Sequence, residues 1–440
     1  MLKIICKGVL AVSLAFCTAM ASAVIVLPTF DPAMVCGHEN ALQAKKVYDG
    51  PAPYYGISWF SGTDAGQRAV CKMADVKQVG FHAFFNPRKT RTLIIFHGWS
   101  PGTVIKKWRL NFDTNDQHGP NVLNSAALWL KGDGATRLPW NVGIFYWNQF
   151  ADETPDSGSL SDLMVSISRA EQKIWRTPGE CSAPSPCQVG MRWKDSSGVL
   201  HSDFPLTQNI TDMAYESYVS SLKGYKGEVR LMGESLGTQL VLALAEKIRV
   251  NHVADHVPMP TQIILLDPVF TTEKYPFFGG QLKTSFSQAM LIVDHLIQDG
   301  VVISGYRTSP LGHMHVTQDN TPLLNKLVFT DLSACVYAPN DLQHRHETGL
   351  WWYMLSYGLD HVNVEQPVNH GIVESAPFAN SPLWFLKSWM GEDKGKFVSD
   401  KAYNLKHYCQ GRPDNFEENI KNWPLWMNKV VDKNTPSKEK

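Results

Sequence analysis

The sequence predicts an α/β fold with a mostly parallel central sheet and helices on both faces. Short apolar runs rich in β-branched residues alternate along the chain with segments whose apolar residues recur at helical spacing. This alternation is typical of parallel strands joined by crossover helices. A chain of 440 residues, 44% hydrophobic, is long enough to bury a large core. We therefore expect one domain over residues 24–440.

The individual elements follow from local patterns. Glycine and proline separate the apolar runs, and each run has the length of a strand or a helix. Strands are predicted at residues 54–60, 76–85, 88–99, 142–147, 262–266, 301–306 and 326–330. Helices are predicted at residues 159–175, 207–222 and 383–390. Two segments lie outside this alternation: an insertion at residues 176–204 and an aromatic C-terminal extension at residues 371–440.

Residues 227–250 form the central motif of the chain. A short apolar strand leads into Gly233-Glu234-Ser235-Leu236-Gly237, and an apolar stripe at helical spacing follows. In a strand–turn–helix context, G-x-S-x-G indicates a serine nucleophile on a sharp turn, where small neighbours let strand and helix pass closely. The alternative is a glycine-flanked surface turn with an idle serine. The context favours Ser235 as the nucleophile of a serine hydrolase.

The N-terminus predicts export. Residues 1–23 combine Lys3 and Lys7 with an apolar stretch and an A-x-A cleavage site, which is typical of a secretory signal peptide. We therefore expect a secreted protein, periplasmic or extracellular; an uncleaved membrane anchor is the alternative.

The cysteine content agrees with export. Eight cysteines, less Cys6 and Cys17 in the signal, leave six, and an even number in an exported chain predicts disulfides. Only Cys181 and Cys187 suggest a local pair, since they flank a proline-containing loop in the insertion.

Other classes of site are disfavoured. The net charge is zero, so neither nucleic acid nor an anionic membrane is expected as a partner. His313 and His315 would share one face of an extended segment, but no carboxylate or cysteine stands at ligand spacing. We expect no metal and no cofactor.

A serine nucleophile needs a base, an acid that orients the base, and donors for the oxyanion. Asp267 follows the next predicted strand after Ser235, and a histidine-bearing stretch follows later near residues 343–348. The order Ser, Asp, His is the order used where the nucleophile lies on a strand–turn–helix elbow.

Four segments, in order, are similar to the pancreatic-type lipases of the α/β-hydrolase superfamily: RKTRTLIIFHGW at 88–99, the Ser235 motif, IILLDP at 263–268 and HRHETGLWWYMLS at 344–356. The resemblance implies the α/β-hydrolase fold. It also implies Ser235 as nucleophile, Asp267 as acid, and His346 as base just ahead of an aromatic-rich helix. The backbone N–H groups of Trp99 and Leu236 would form the oxyanion hole.

Several alternatives stay open at this point. Asp331 is the second choice of acid, His344 rivals His346 as base, and His97 fits a structural hydrogen-bonding role better than a catalytic one. The family usually has histidine where this chain has Glu234. A cysteine that precedes the family histidine is missing, and the insertion precedes the nucleophile whereas the family lid follows the acid. A triglyceride preference is therefore not implied.

The expected function is hydrolysis of carboxylic esters through an acyl-enzyme, with lipid acyl esters favoured, as in a lipase or phospholipase. The resemblance allows transient contact with a lipid interface. The alternatives are a short-chain esterase, thioesterase or peptidase of the same fold, or a secreted binding protein that keeps the fold without catalysis. Acyl-chain length, head group and oligomeric state do not follow from the sequence.

Overall fold

A computed structural model describes residues 48–60, 73–75, 84–106, 110, 128–132, 137–176, 190–205, 207–278, 283–331, 340–357, 364–365, 372–373, 378–390, 406–408 and 430–432. The predicted signal peptide and all eight cysteines lie outside these residues. The predictions of export and of disulfides therefore stay predictions.

In the part of the chain that the structure describes, the central sheet has eight strands, most of them parallel. In chain order they are β1 (Gly56–Phe60), β2 (Met73–Asp75), β3 (Arg91–Phe96), β4 (Asn141–Tyr146), β5 (Glu228–Glu234), β6 (Gln262–Leu266), β7 (Val302–Arg307) and β8 (Val328–Asp331). Their spatial order is β2-β1-β4-β3-β5-β6-β7-β8. Strands β3 to β8 pair in parallel, whereas β1 pairs antiparallel with β4 and with β2. The prediction of a mostly parallel α/β sheet is confirmed.

Helices cover both faces of the sheet. They are α1 (Leu160–Trp175), α2 (Ile210–Leu222), α3 (Gly237–Asp255), α4 (Ser285–Gln298), α5 (Leu342–Ser356) and α6 (Leu383–Ser388). Buried residues of α1 to α4 share one core cluster with Ile94, Leu231 and Leu265, and those of α5 and α6 share a second cluster with Ile95 and Met232. Neighbouring strand residues thus supply opposite faces, and a strand buried on both faces is a nearly continuous apolar run.

Helix boundaries follow capping chemistry. Helix α1 begins where Ser159 Oγ accepts a hydrogen bond from Asp162 N–H, and α2 begins at a capping box between Asn209 and Asp212. Helix α3 ends at His256, which adopts a left-handed conformation with φ 57°. None of the helices in the described ranges has the length and apolarity needed to cross a membrane.

The register aligns the carboxyl ends of the central strands. Glu234 of β5 lies opposite Leu266 of β6, which lies opposite Tyr306 of β7, and Phe96 of β3 lies opposite Gly233. The residues that follow β3, β5 and β6 therefore meet at one edge of the sheet. In open α/β sheets, ligands bind at this edge.

Two elements differ from expectation. Helix α4 was not predicted, although its buried residues Phe286, Ala289, Ile292, Val293 and Leu296 recur at helical spacing. His346 was expected ahead of the aromatic helix and lies inside α5 instead. The predicted strand at 76–85 stays a prediction, because residues 76–83 lie outside the described ranges.

The two predicted appendages are described in part. Within the insertion, Trp193–Lys194 and Leu200–His201 form an antiparallel ribbon. Residues 378–390 of the predicted extension pack on the sheet: Phe378, Ala379 and Leu386 are buried in the second cluster.

Candidate active site

Ser235 lies on a tight turn between β5 and α3. Its φ is 56°, in the left-handed region that a serine rarely occupies. A Cβ on Gly233 would lie 2.3 Å from the Gly237 carbonyl oxygen, and one on Gly237 would lie 2.1 Å from the Phe96 carbonyl oxygen. Both positions therefore require glycine, which explains the G-x-S-x-G spacing. The Ser235 N–H donates to the Leu266 carbonyl at 3.0 Å and so holds the turn against the end of β6.

Helix α3 begins directly behind the serine. Thr238 N–H donates to the Ser235 carbonyl at 3.1 Å, and the Thr238 hydroxyl donates to the same oxygen at 2.6 Å. Within the described part of the chain, the Leu236 N–H makes no hydrogen bond. A helix N-terminus carries partial positive charge, so this end of α3 suits an anionic oxygen.

The loop after β3, residues 97–104, passes directly against the serine. A Cβ on Gly98 would lie 2.6 Å from the Ser235 Cβ and 3.0 Å from the Leu236 nitrogen. The Trp99 ring donates from Nε1 to the Glu153 carbonyl at 2.7 Å. Among the residues described, the Trp99 backbone N–H makes no hydrogen bond.

A buried ion pair holds this loop in place. The Asp152 carboxylate accepts hydrogen bonds from the Gly102 N–H at 2.7 Å and from the Val104 N–H at 3.0 Å. Lys194 Nζ, from the ribbon in the insertion, pairs with Asp152 Oδ1 at 2.7 Å, and both side chains are buried. Sequence reasoning missed this pair because nothing local links the two residues.

Asp267 follows β6 and is the best-satisfied carboxylate of the site. It is 1% exposed and has φ 44°. Its Oδ1 accepts from the N–H groups of Thr308 at 2.9 Å and Ser309 at 3.2 Å, and its Oδ2 accepts from the Ser309 hydroxyl. These neutral donors hold the carboxylate from the β7 side. The carboxylate is thereby directed at the imidazole of His346.

His346 lies between two carboxyl groups. Its Nδ1 is 2.5 Å from Asp267 Oδ2, and its Nε2 is 3.1 Å from Glu234 Oε1. Within the described ranges, no hydrogen bond joins His346 to the Ser235 hydroxyl. The structure thus brings Ser235, Asp267 and His346 to the same edge of the sheet, but Nε2 of His346 contacts Glu234.

Nearby carboxyl groups change the pKa of the His346 imidazole. Burial by itself lowers the pKa of His346, but the negative charges of Glu234, Asp267 and Glu347, together with the Asp267 hydrogen bond, raise it to about 9. Burial raises the pKa of Glu234 to about 7; the charge of His346 opposes this, and those of Glu347 and Asp267 add to it. The Gly98 N–H also donates to the Glu234 carboxyl group and lowers its pKa.

The rival residues lie elsewhere. His344 Nδ1 contacts both oxygens of Asp341 at 2.8 Å. Asp331 ends β8, and its side chain is outside the described part. His97 is buried: its Nε2 accepts from the Trp147 N–H at 3.2 Å, and its ring stacks on Trp147, so it faces backbone rather than the serine.

The structure gives no support for a metal centre in the described residues, where no group of three or more His, Cys, Asp or Glu side chains could hold an ion. His313 ends a short 3-10 helix, Pro310–His313, and His315 follows it, so the extended segment considered from the sequence is not formed.

Taken together, the site offers a hydroxyl, an imidazole oriented by a carboxylate, and backbone N–H groups beside the hydroxyl. This set suits nucleophilic attack on a carbonyl carbon. Glu234 is the site residue that sequence reasoning did not assign. The signal available was its position before Ser235, where the resembled family has histidine.

Comparisons with known proteins give little further guidance. No family of proteins and no curated protein matches the chain. The Fe-lacking apo form of EstFA shows 12% identity and a TM-score of 0.24, covering 73% of this chain and 87% of EstFA. A hyperthermophilic esterase from the archaeon Pyrobaculum calidifontis shows 12% identity and a TM-score of 0.25, covering 76% of this chain and 91% of the esterase. The peroxisomal alpha-beta-hydrolase Lpx1 of Saccharomyces cerevisiae shows 12% identity and a TM-score of 0.19, covering 67% and 79%.

Proposed function

We propose that the chain is a serine hydrolase of the α/β-hydrolase superfamily that cleaves carboxylic esters. The observation that carries the proposal is that three residues from separate elements lie at one edge of the sheet. Ser235 lies on a strained elbow after β5, Asp267 follows β6, and His346 of α5 lies 2.5 Å from Asp267 through Nδ1. A strained serine at the same sheet edge as an imidazole that a buried carboxylate orients is an arrangement that suits acyl transfer.

The reaction runs in two halves. His346 Nε2 takes the Ser235 proton as Oγ attacks the ester carbonyl carbon, while Asp267 stabilises the imidazolium. The N–H groups of Trp99 and Leu236 bind the oxyanion of the tetrahedral intermediate. The intermediate collapses, His346 gives its proton to the leaving alcohol, and an acyl-enzyme remains. Water, deprotonated by His346, then attacks the acyl carbonyl and releases the acid and Ser235.

Lipid acyl esters are the substrates we favour. The pancreatic-type resemblance and the predicted signal peptide support a secreted lipase or phospholipase that meets its substrate at a lipid interface. One observation favours a short-chain esterase as second candidate: Glu234 places a carboxyl group beside the nucleophile, where the resembled lipases usually have histidine.

The test uses the oxidised protein from residue 24 onward with p-nitrophenyl esters of rising acyl length. Ser235→Ala should abolish turnover, whereas Ser220→Ala should not change it. Ser220 is an exposed serine, and its Oγ donates to the Glu216 carbonyl of its own helix at 2.9 Å. Turnover that rises with acyl length would support the lipase, and turnover confined to short acyl chains would support the esterase. If the wild type neither turns over esters nor reacts at Ser235 with a fluorophosphonate, the enzyme proposal is wrong and a binding role takes its place.

A further inference from the structure

The contact between Glu234 and His346 depends on a proton. Oε1 of Glu234 lies 3.1 Å from Nε2 of His346, which is an ion-pair distance. An ionised carboxylate is only an acceptor, and the imidazole nitrogen without hydrogen is also only an acceptor, so their lone pairs repel at this distance. The contact is attractive when Nε2 carries the proton of an imidazolium and Glu234 carries the negative charge. A protonated Nε2 has no lone pair open to the Ser235 hydroxyl.

The surroundings keep this proton in place. Glu234 and His346 are mostly enclosed, with side-chain exposures of 14% and 12%. Glu234 is faced by the Gly98 N–H from the loop after β3, by His346 and Glu347 from α5, and by Asp267 after β6. His346 is faced by Glu234, Asp267 and Glu347. Three carboxyl groups therefore surround one imidazole, and this excess of negative charge favours the retained proton.

We propose that Glu234 is a positioning residue that keeps a proton on the base nitrogen of His346, so that Nε2 becomes open to Ser235 only when this proton leaves. The proposal rests on the serine hydrolase function proposed above. When the proton leaves, the imidazole is neutral, the ion pair with Glu234 is lost, and the Nε2 lone pair becomes available to the Ser235 hydroxyl. Since the Gly98 N–H also bonds to Glu234, the same residue joins the base to the loop that carries Trp99.

The pH dependence follows from this. A general base works only in its unprotonated form, so activity rises with pH through the pKa of His346, which is raised to about 9. Replacing Glu234 by glutamine removes the negative charge that raises this pKa the most. The acid limb of the pH profile should then move toward neutral pH, and each unit of movement increases the neutral fraction of His346 at pH 7 about tenfold.

The experiment measures kcat/KM against pH for the wild type, Glu234→Gln and Glu347→Gln. Glu347 is the matched control, because it also raises the pKa of His346 by its charge but does not contact Nε2. We expect the acid limb of Glu234→Gln to move down by about one unit or more. We expect the limb of Glu347→Gln to move much less. Glu234→Ala, which cannot bond to Nε2 at all, should move in the same direction as Glu234→Gln.

A second measurement keeps this proposal separate from the proposed function. The His346 ring can be titrated by NMR after histidine-selective labelling, with His346→Gln to assign the signal, and this needs no activity. A lower titration midpoint in Glu234→Gln supports the ion-pair contact with Glu234 even if no ester is cleaved. If the midpoint and the acid limb of Glu234→Gln both match those of the wild type, or move no further than in Glu347→Gln, the role of Glu234 is refuted.

Discussion

At the scale of single residues, the backbone is strained at both Ser235 and Asp267. Each has positive φ without being glycine, and each is held by a hydrogen bond from its own N–H to the next strand: Ser235 to Leu266 O at 3.0 Å, and Asp267 to Tyr306 O at 2.7 Å. Such conformations cost about 1–3 kcal/mol and persist where the surroundings over-determine them. The sheet edge therefore sets the directions in which the candidate nucleophile and acid project.

Gly98→Ala tests how closely the loop must approach Ser235. A methyl group there would lie 2.6 Å from the Ser235 Cβ, with the Glu234 carbonyl and the Leu236 nitrogen at 3.0 Å. These neighbours belong to the elbow, so relief requires the loop or the serine to move. We expect a loss of about 1–3 kcal/mol in unfolding free energy. We also expect a fall on the order of a hundredfold in kcat/KM, since the oxyanion donors shift.

Gly158→Ala is the matched control, because a Cβ at Gly158 meets no atom within 4 Å and its φ is ordinary. Urea unfolding and ester turnover should both match the wild type for this variant. Equal behaviour of the two alanine variants would contradict the close approach of the loop.

Local signals made Ser235, Asp267 and His346 predictable as candidates, since each lies in a short motif next to a recognisable element. The Glu234 contact was not predictable in this way. It depends on where α5 places His346 relative to β5, and neither segment carries information about that distance. The same holds for His346 inside α5: a helix start at Leu342 has no strong sequence signal, because Asp341 precedes a stretch of polar residues rather than an apolar stripe.

At the scale of elements, the 97–104 loop depends on a side chain from the insertion. Lys194 lies in the ribbon of residues 193–201 and pairs with Asp152, whose two carboxylate oxygens hold the Gly102 and Val104 N–H groups. The described part of the insertion thus supports the loop that lies against Ser235, which a pattern of proline, glycine and serine does not reveal.

Lys194→Met tests whether the 97–104 loop depends on the Lys194–Asp152 ion pair. It removes the cation and leaves Asp152 buried without its ionic partner, a change that costs about 3–5 kcal/mol in unfolding free energy. Turnover should fall as well, because the carboxylate can then turn away from the loop N–H groups. The control is Arg169→Met: Arg169 lies 3.7 Å from Asp156, whose side chain is mostly exposed, so its loss should cost less than about 1 kcal/mol. A Lys194→Met variant as stable and active as Arg169→Met would show that the ion pair does not hold the loop.

At the scale of the whole molecule, the alternation of apolar strands and helices sufficed to predict the class of fold. Strands β3, β4, β5, β6 and β7 are mostly apolar because helices cover both faces. The order of the strands was not predictable in the same way. Strands β3 and β4 follow one another in the chain, yet β5 pairs with β3, so that β3 lies between them. Pairing of this kind is set by long-range packing, on which a local pattern has no bearing.

The C-terminal segment is a further long-range feature. Its Ala379 carbonyl accepts a hydrogen bond from Arg230 Nη1 of β5 at 2.7 Å, and its Ala379 N–H donates to Ser356 Oγ of α5 at 3.0 Å. The Arg230 guanidinium also lies 4.6 Å from the ring centre of Trp140. Residues 378–390 thus connect β5, which leads to Ser235, to the helix that carries His346, and Phe378, Ala379 and Leu386 are buried in the second cluster.

Two substitutions in α6 test whether this segment is integral to the fold. Leu386 is 0% exposed in the core beside β7, so Leu386→Ala should lower the unfolding free energy by about 2–5 kcal/mol. Trp384 is 74% exposed, so Trp384→Ala should change it by no more than about 0.5 kcal/mol, although it deletes more atoms. Urea unfolding followed by circular dichroism measures both. Because the segment joins β5 to α5, Leu386→Ala should also slow fluorophosphonate labelling of Ser235. A tryptophan variant less stable than the leucine variant would mean that α6 presents its other face to the sheet.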